Sequence, residues 1–303
     1  MAIGAFDAQT SRFLNDIDRI AQRLEKAQLQ ITSGRRINVV SDSPDQISHL
    51  LATRSQLAAT EQVHANLDRV KGEVDSAESA LAEAVNIVDR ITVLGTQGAT
   101  GSVSADSRAS LADELGALLE QLVNIALTKV DGRYIFAGDA DTTAPYTANL
   151  ASDPPYSPYQ GAISSRKVEH PSGSLIRVSL TADEIFDDAD PNQKVFAAVS
   201  DLRNALLAND TEQVKDALGR VRFSNTHLNN KLAFYGSAQN QVAAGLDAAF
   251  KQELRLKTEI SLIEDADLTE AILELNQAQL QQNAALGAQA RIQNKPTLLD
   301  YLG

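Results

Sequence analysis

The chain has 303 residues, 43% of them apolar, with a formal charge of −13 and neither cysteine nor tryptophan. That charge excludes a general nucleic-acid binder, which needs a basic face to displace counterions, and the missing cysteines exclude disulfides, thiolate metal sites and a cysteine nucleophile. Aromatics make up only 5%, which points to thin helical bundles filled by Leu, Ile, Val and Ala and so to an elongated molecule.

The first residues lack the apolar core of a secretion signal, and no stretch approaches the roughly 18 apolar residues of a membrane span. If the protein leaves the cytosol, it is therefore expected to do so without a cleaved signal, and no membrane partner is expected. Phe6, Thr10, Phe13, Ile17, Ile20, Leu24, Ala27 and Ile31 follow at alternating steps of four and three, a heptad stripe broken only by Thr10. Pro44 then opens a proline-free tract to residue 144. In it Leu67, Val70, Val74, Ala77, Leu81, Ala84, Val88 and Ile91 predict a helix that stops at the glycines of GTQGATGS, residues 95 to 102. Ser104 or Asp106 caps the next helix, with the stripe Leu111, Leu115, Leu118, Leu122 and Ile125, and the two make an antiparallel hairpin.

Between 132 and 192 the composition changes: six of the eight prolines and six of the fourteen aromatics are here. The runs RYIFAG and SLIRVSL alternate as strands do, so a small β-rich insertion is expected at the far end of the helical hairpins. From Val195 the helical pattern returns, breaks at Asn209-Asp210-Thr211, and continues through Val214, Leu218, Val221, Asn225, Leu228, Leu232, Tyr235, Gln239, Val242, Leu246 and Ala249. Leu256, Ile260 and Ile263 close this run; the phase slips within ISLIEDADLTE, and Leu268, Ile272 and Leu275 open another. The predicted domains are 1–44 with 260–303 as terminal coiled-coil segments, 45–131 with 193–259 as a helical rod, and 132–192 as the insertion. Residues 1–41 carry a net +2 and 260–303 a net −4, which favours pairing of the two ends.

Chemistry is hard to find. His49, His64, His170 and His227 stand far apart without metal-ligand spacing, and the acidic run Asp183, Glu184, Asp187, Asp188, Asp190 lacks the order of a calcium loop. No GxxxxGK[ST], GxGxxG or GxSxG motif occurs. Neither a catalytic residue nor a cofactor nor a metal site is expected.

SGRRINVVSDSPDQISHLLATRSQL (33 to 57) resembles the amino-terminal core of bacterial flagellins and hook-associated proteins, where a TGKRINSASDDP-like segment follows the first helix. DGRYIFAGDADTTAPY (131 to 146) is similar to the segment leading into the β-rich domain of hook-associated members, and residues 263–302, down to LLDYL, resemble the family's carboxyl end. Ser41-Asp42-Ser43-Pro44 departs from the pattern in having one acid where two are common.

The resemblance implies a mainly α, flagellin-like coiled-coil bundle with a β-rich insertion. It also implies a non-enzymatic structural subunit of the extracellular flagellum, exported by the type III route. The FAG segment and LLDYL favour a subunit that joins hook to filament and templates flagellin over a filament flagellin; a ligand-binding coiled-coil scaffold or adhesin is the alternative of another class. Implied partners are further copies of the chain, an adjacent hook-associated protein, flagellin and an export chaperone. The expected assembly residues are Phe6, Phe13, Ile17, Ile20, Leu24, Ile31, Ile260, Ile263, Leu268, Ile272, Leu275, Leu298, Leu299, Tyr301 and Leu302. Without partners these ends would expose an apolar stripe, so they are expected to be largely disordered in the free chain.

Overall fold

The computed structural model describes residues 3–147, 152 and 154–293, with side-chain environments from Thr10 to Arg291. Seven α-helices lie among them: α1 (Ile3–Ser33), α2 (Pro44–Gly98), α3 (Ala105–Ala126), α4 (Ala182–Phe186), α5 (Val195–Leu207), α6 (Thr211–Glu264) and α7 (Leu268–Gln293). Two antiparallel hairpins, β1 (Lys129–Val130) with β2 (Arg133–Tyr134) and β3 (Lys167–Glu169) with β4 (Leu175–Arg177), and two short 3-10 turns, Val40–Asp42 and Pro191–Gln193, complete the described regular structure. The chain packs as two compact units, Met1–Ala59 with Gln252–Gly303 and Thr60–Lys251. The expected divisions at 44 and 260 thus fall inside the first unit.

In the unit Thr60–Lys251, the heptad positions of α2, α3 and α6 meet those of α5 in one core that includes Leu67, Leu81, Ile91, Leu115, Leu122, Leu202, Val214, Leu228 and Val242. The insertion shares it: Phe136, Tyr146, Ile176, Val178 and Phe186 belong to the same cluster, with Phe186 stacked on Phe196 at 5.0 Å. Strand is scarce there because RYIFAG and SLIRVSL pair over only two and three residues, while aromatic packing carries the rest. Asn225 and Gln239, the polar members of the α6 heptad, are met by Asp89 at 2.5 Å and Asp75 at 3.0 Å on α2. Polar pairs at such positions set register at some cost in stability.

α2 ends within GTQGATGS, as the sequence suggested, though it runs through Gly95 and stops only at Gly98. A Cβ on Gly95 would stand 2.9 Å from both Leu202 and Leu218, and one on Gly98 would collide with Leu206. These glycines admit leucines against the helix backbone, so close packing outweighs their poor helix propensity. Ser104 is the cap of α3, its Oγ accepting from Ser107 N–H at 3.2 Å.

Gly138, in the FAG segment, has φ +63, and a Cβ there would lie 2.8 Å from Ser164 O and still closer to Ala162 O. Both neighbours are backbone and cannot swing aside. Gly138→Ala is expected to destabilise this unit by about 2–5 kcal/mol, read as a drop in urea midpoint at unchanged m.

Candidate assembly surface

In the unit Met1–Ala59 with Gln252–Gly303, α1 and α7 pack along their lengths. Where disorder of the free ends is expected from sequence, the structure gives each terminal helix the other as a partner. α1 presents Phe13, Ile17, Ile20, Leu24 and Ile31, all half-buried, and fully buried Ala27. The last turn ends at Gly34, φ +69, whose N–H donates to Gln30 O at 2.9 Å. α7 starts because Asp267 Oδ1 accepts from the N–H groups of Thr269 at 2.8 Å and Glu270 at 3.2 Å. The heptad slip is therefore a true break between two helices.

On α7 the buried line is not the one the sequence suggested. Ala271 and Ala278 are buried and Leu275, Gln282, Ala285 and Gln289 half-buried, whereas Leu268 and Ile272 lie to one side, about half exposed. Leu273 and Leu280, 54% and 70% exposed, stand about 180–200° around the helix from Ala271 at 100° per residue. α7 is thus apolar on the face that meets α1 and again on the opposite face, a pattern normal for a helix buried all round. Leu262, 81% exposed at the end of α6, and Leu14, Leu29 and Leu286 extend the apolar surface. Of the other expected residues, Ile260 and Ile263 are half-buried; the side chain of Phe6, and Leu298, Leu299, Tyr301 and Leu302, lie outside what is described. Sequence reasoning missed the alanine line because it ranked large apolar residues; alanine recurring every seventh residue was the available signal.

Charge follows the opposite signs of the two ends. Arg23 Nε donates to Glu274 Oε1 at 2.6 Å and its Nη1 to Gln281 Oε1 at 3.0 Å. That hydrogen bond and charge hold the Glu274 carboxyl below its usual range. Asp42, the single acid of the SDSP segment, accepts from Asn38 and Val39 N–H at 2.9 and 3.0 Å and pairs with Lys26 at 3.2 Å. Partial burial alone would raise its pKa, but these donors and Lys26 bring it below the ordinary carboxylate value.

Three of the five acids in the run 183–190 are taken up individually: Glu184 by Arg177 at 2.7 Å, Asp187 by Lys194 at 2.9 Å, and Asp190 as a cap for Asn192 N–H at 2.9 Å. No group of three His, Asp or Glu poised for a metal occurs among the described residues. Nor is any described helix long and apolar enough to cross a membrane. His49 lies 2.8 Å from Glu259, and His170 Nδ1 meets Ser172 at 2.8 Å. His227 is buried, with Nε2 3.1 Å from Glu184 O. Burial, then nearby Lys231, lowers its pKa below 6.5.

A histidine whose folded pKa is depressed is held neutral by the fold. Its contribution is therefore fully present above the unfolded value near 6.5 and lost as pH falls. Melting of the unit Thr60–Lys251 is expected to drop between about pH 7.5 and about pH 5, with His227→Gln removing part of that slope. An identical slope in the variant would rule this histidine out.

The family descriptions that match are the bacterial flagellin N-terminal helical region, over residues 7–141, and the bacterial flagellin C-terminal helical region, over residues 218–302. Flagellar hook-associated protein 3 of Escherichia coli K12 is 29% identical over 164 residues, 54% of this chain and 50% of that protein. Its counterpart from Salmonella typhimurium LT2 is 26% identical over 219 residues, 67% of each. The chain thus spans about half the length of the first relative. The crystal structure of a flagellar hook-associated protein-3 from Legionella pneumophila shares the fold at TM-score 0.61 and 16% identity, covering 70% of this chain and 98% of that one.

Proposed function

This chain belongs to the bacterial flagellin family, and we propose that it is the subunit that joins flagellar hook to filament and templates flagellin assembly. The observation that carries this reading is the double-faced α7. One apolar face is covered by α1, and the opposite one, with Leu273 and Leu280, is open to neighbouring subunits. A role in assembly explains such a surface because a soluble monomer gains nothing from exposed leucines at heptad spacing.

The likeness to hook-associated protein 3 in two of the curated relatives favours the junction role over a filament subunit. The terminal segments 1–44 and 260–303 then act as inner-tube elements and the 132–192 segment as outer surface. The role is non-enzymatic. Partners in this reading are further copies of the chain, an adjacent hook-associated protein, flagellin and an export chaperone, and the protein works outside the cell after export.

Immunogold labelling of an epitope-tagged chain on intact flagella tests this. Label in one band at the filament base is the expected result. Label along the whole shaft makes the chain a filament flagellin, and label absent from flagella overturns both readings.

A further inference from the structure

The α1/α7 seam is nearly self-similar under a slide of seven residues. On α7, Ala271, Ala278 and Ala285 replace one another, and so do Gln282 and Gln289, although the half-buried Leu275 is exchanged for Gln282. Shallow alanine knobs lose little by such a slide, whereas large a and d residues would resist it. The polar contact is degenerate in the same way: the two acceptors of Arg23, Glu274 and Gln281, are themselves seven residues apart. A slide of one heptad moves the helices about 10 Å and leaves Arg23 an acceptor.

The chain breaks at the inner ends of the two helices are not degenerate. Arg36 N–H donates to Glu264 O at 2.6 Å and Ala266 N–H to Gly34 O at 3.0 Å. Between these bonds Arg35 faces Asp265 as an isolated antiparallel bridge. Glu264 is only 3% exposed. Arg54 Nη2 donates to its Oε2 at 2.5 Å, while Arg35 Nε lies 2.7 Å from Oε1 as a charge contact. Arg36 Nη2 adds bonds to Ile263 O and Gln46 Oε1, both at 2.7 Å.

We propose that this clasp, residues 34–36 against 264–266, sets the register in which the terminal helices pair, with Glu264 as its positioning residue. Sliding the helices by a heptad would break both backbone bonds and take Arg35 from a buried carboxylate, leaving it only Arg54 of α2. Removing the partners of a buried charge is among the most destabilising changes a protein can suffer. The clasp resists a slide that the seam itself tolerates. The inference concerns pairing within the chain and stands whether or not the protein joins hook to filament.

The chain has no cysteine, so Leu29→Cys and Leu286→Cys, at exposed positions, supply the only two sites for spin labels. Counted from the clasp they are offset by fifteen residues, so a heptad slide changes their separation almost fully. With the clasp intact, pulsed electron resonance on the full-length protein is expected to give one distance. Glu264→Ala should add a second population displaced by about 10 Å, Glu264→Gln a smaller one, and Glu274→Ala none. An unchanged single distance in Glu264→Ala overturns the proposal. So does loss of the distance without a displaced peak, which would make Glu264 a stabiliser only, or the lack of a single distance with the clasp intact.

Discussion

Ile17→Asp or Ile20→Asp is expected to abolish incorporation into the flagellum while the unit Thr60–Lys251 stays folded. Both isoleucines sit half-buried in the α1 stripe beside Ala27, where an aspartate must either lose its hydration or push the helices apart. The other unit is insulated because its core, from Leu67 to Val242, draws on none of these residues. Secreted and assembled protein are compared on blots of culture supernatant and purified flagella, and thermal melting reports the fold. Leu280→Asp separates two roles. It lies on the open face of α7, so it should leave α1/α7 pairing intact and still block incorporation. Normal assembly of Ile17→Asp would remove the terminal seam from the mechanism, and normal assembly of Leu280→Asp would remove the open face.

Arg108→Ala is expected to cost the unit Thr60–Lys251 about 3–5 kcal/mol, at the upper end for a point substitution. Arg108 is 4% exposed, and none of the partners recorded for it is a carboxylate. Its Nε donates to Gly98 O at 3.1 Å and its Nη2 to Thr100 O at 3.2 Å and Thr211 Oγ1 at 3.0 Å. Its Nη1 is bonded to Asn209 Oδ1. One guanidinium thus serves carbonyls at the end of α2 and ties them to the α5–α6 turn, where Asn209 holds φ +52. Lost carbonyl partners would be stranded in a water-poor site, and the positive charge no longer opposes the negative end of the α2 dipole. Arg108→Lys should recover part of the loss, since an ammonium cannot reproduce the planar fork. A denaturant midpoint within error of the parent for Arg108→Ala would make the cluster incidental.

The helices were legible because heptad spacing is local information. Leu67 through Ile91 and Val214 through Ala249 mark their own periodicity, and the phase slip within ISLIEDADLTE marks the break before α7. The same holds for the family resemblance, which rests on contiguous runs such as SGRRINVVSDSP and DGRYIFAG. Three features were not legible. Gly95 and Gly98 were legible as part of a helix stop, but not as the room that Leu202, Leu206 and Leu218, from more than a hundred residues away, claim against the helix. Arg108 has no sequence signature, because its acceptors are main-chain carbonyls and turn residues gathered from two separate segments, 98–100 and 209–211.

The α7 stripe is the third. Leu268 and Ile272 were read as its seam on size, whereas contact with α1 selects the alanine line and turns the leucines outward. Composition, heptad phase with its slip before Leu268, and the break at glycine, all properties of neighbours along the chain, determined a cysteine-free helical protein with sticky ends. Tertiary structure decided which face of each helix is covered, because that depends on the distant segment that arrives to pack there. It also decided that Glu264 is shut between Arg35 and Arg54, since burying a charge requires partners that only the folded chain brings together.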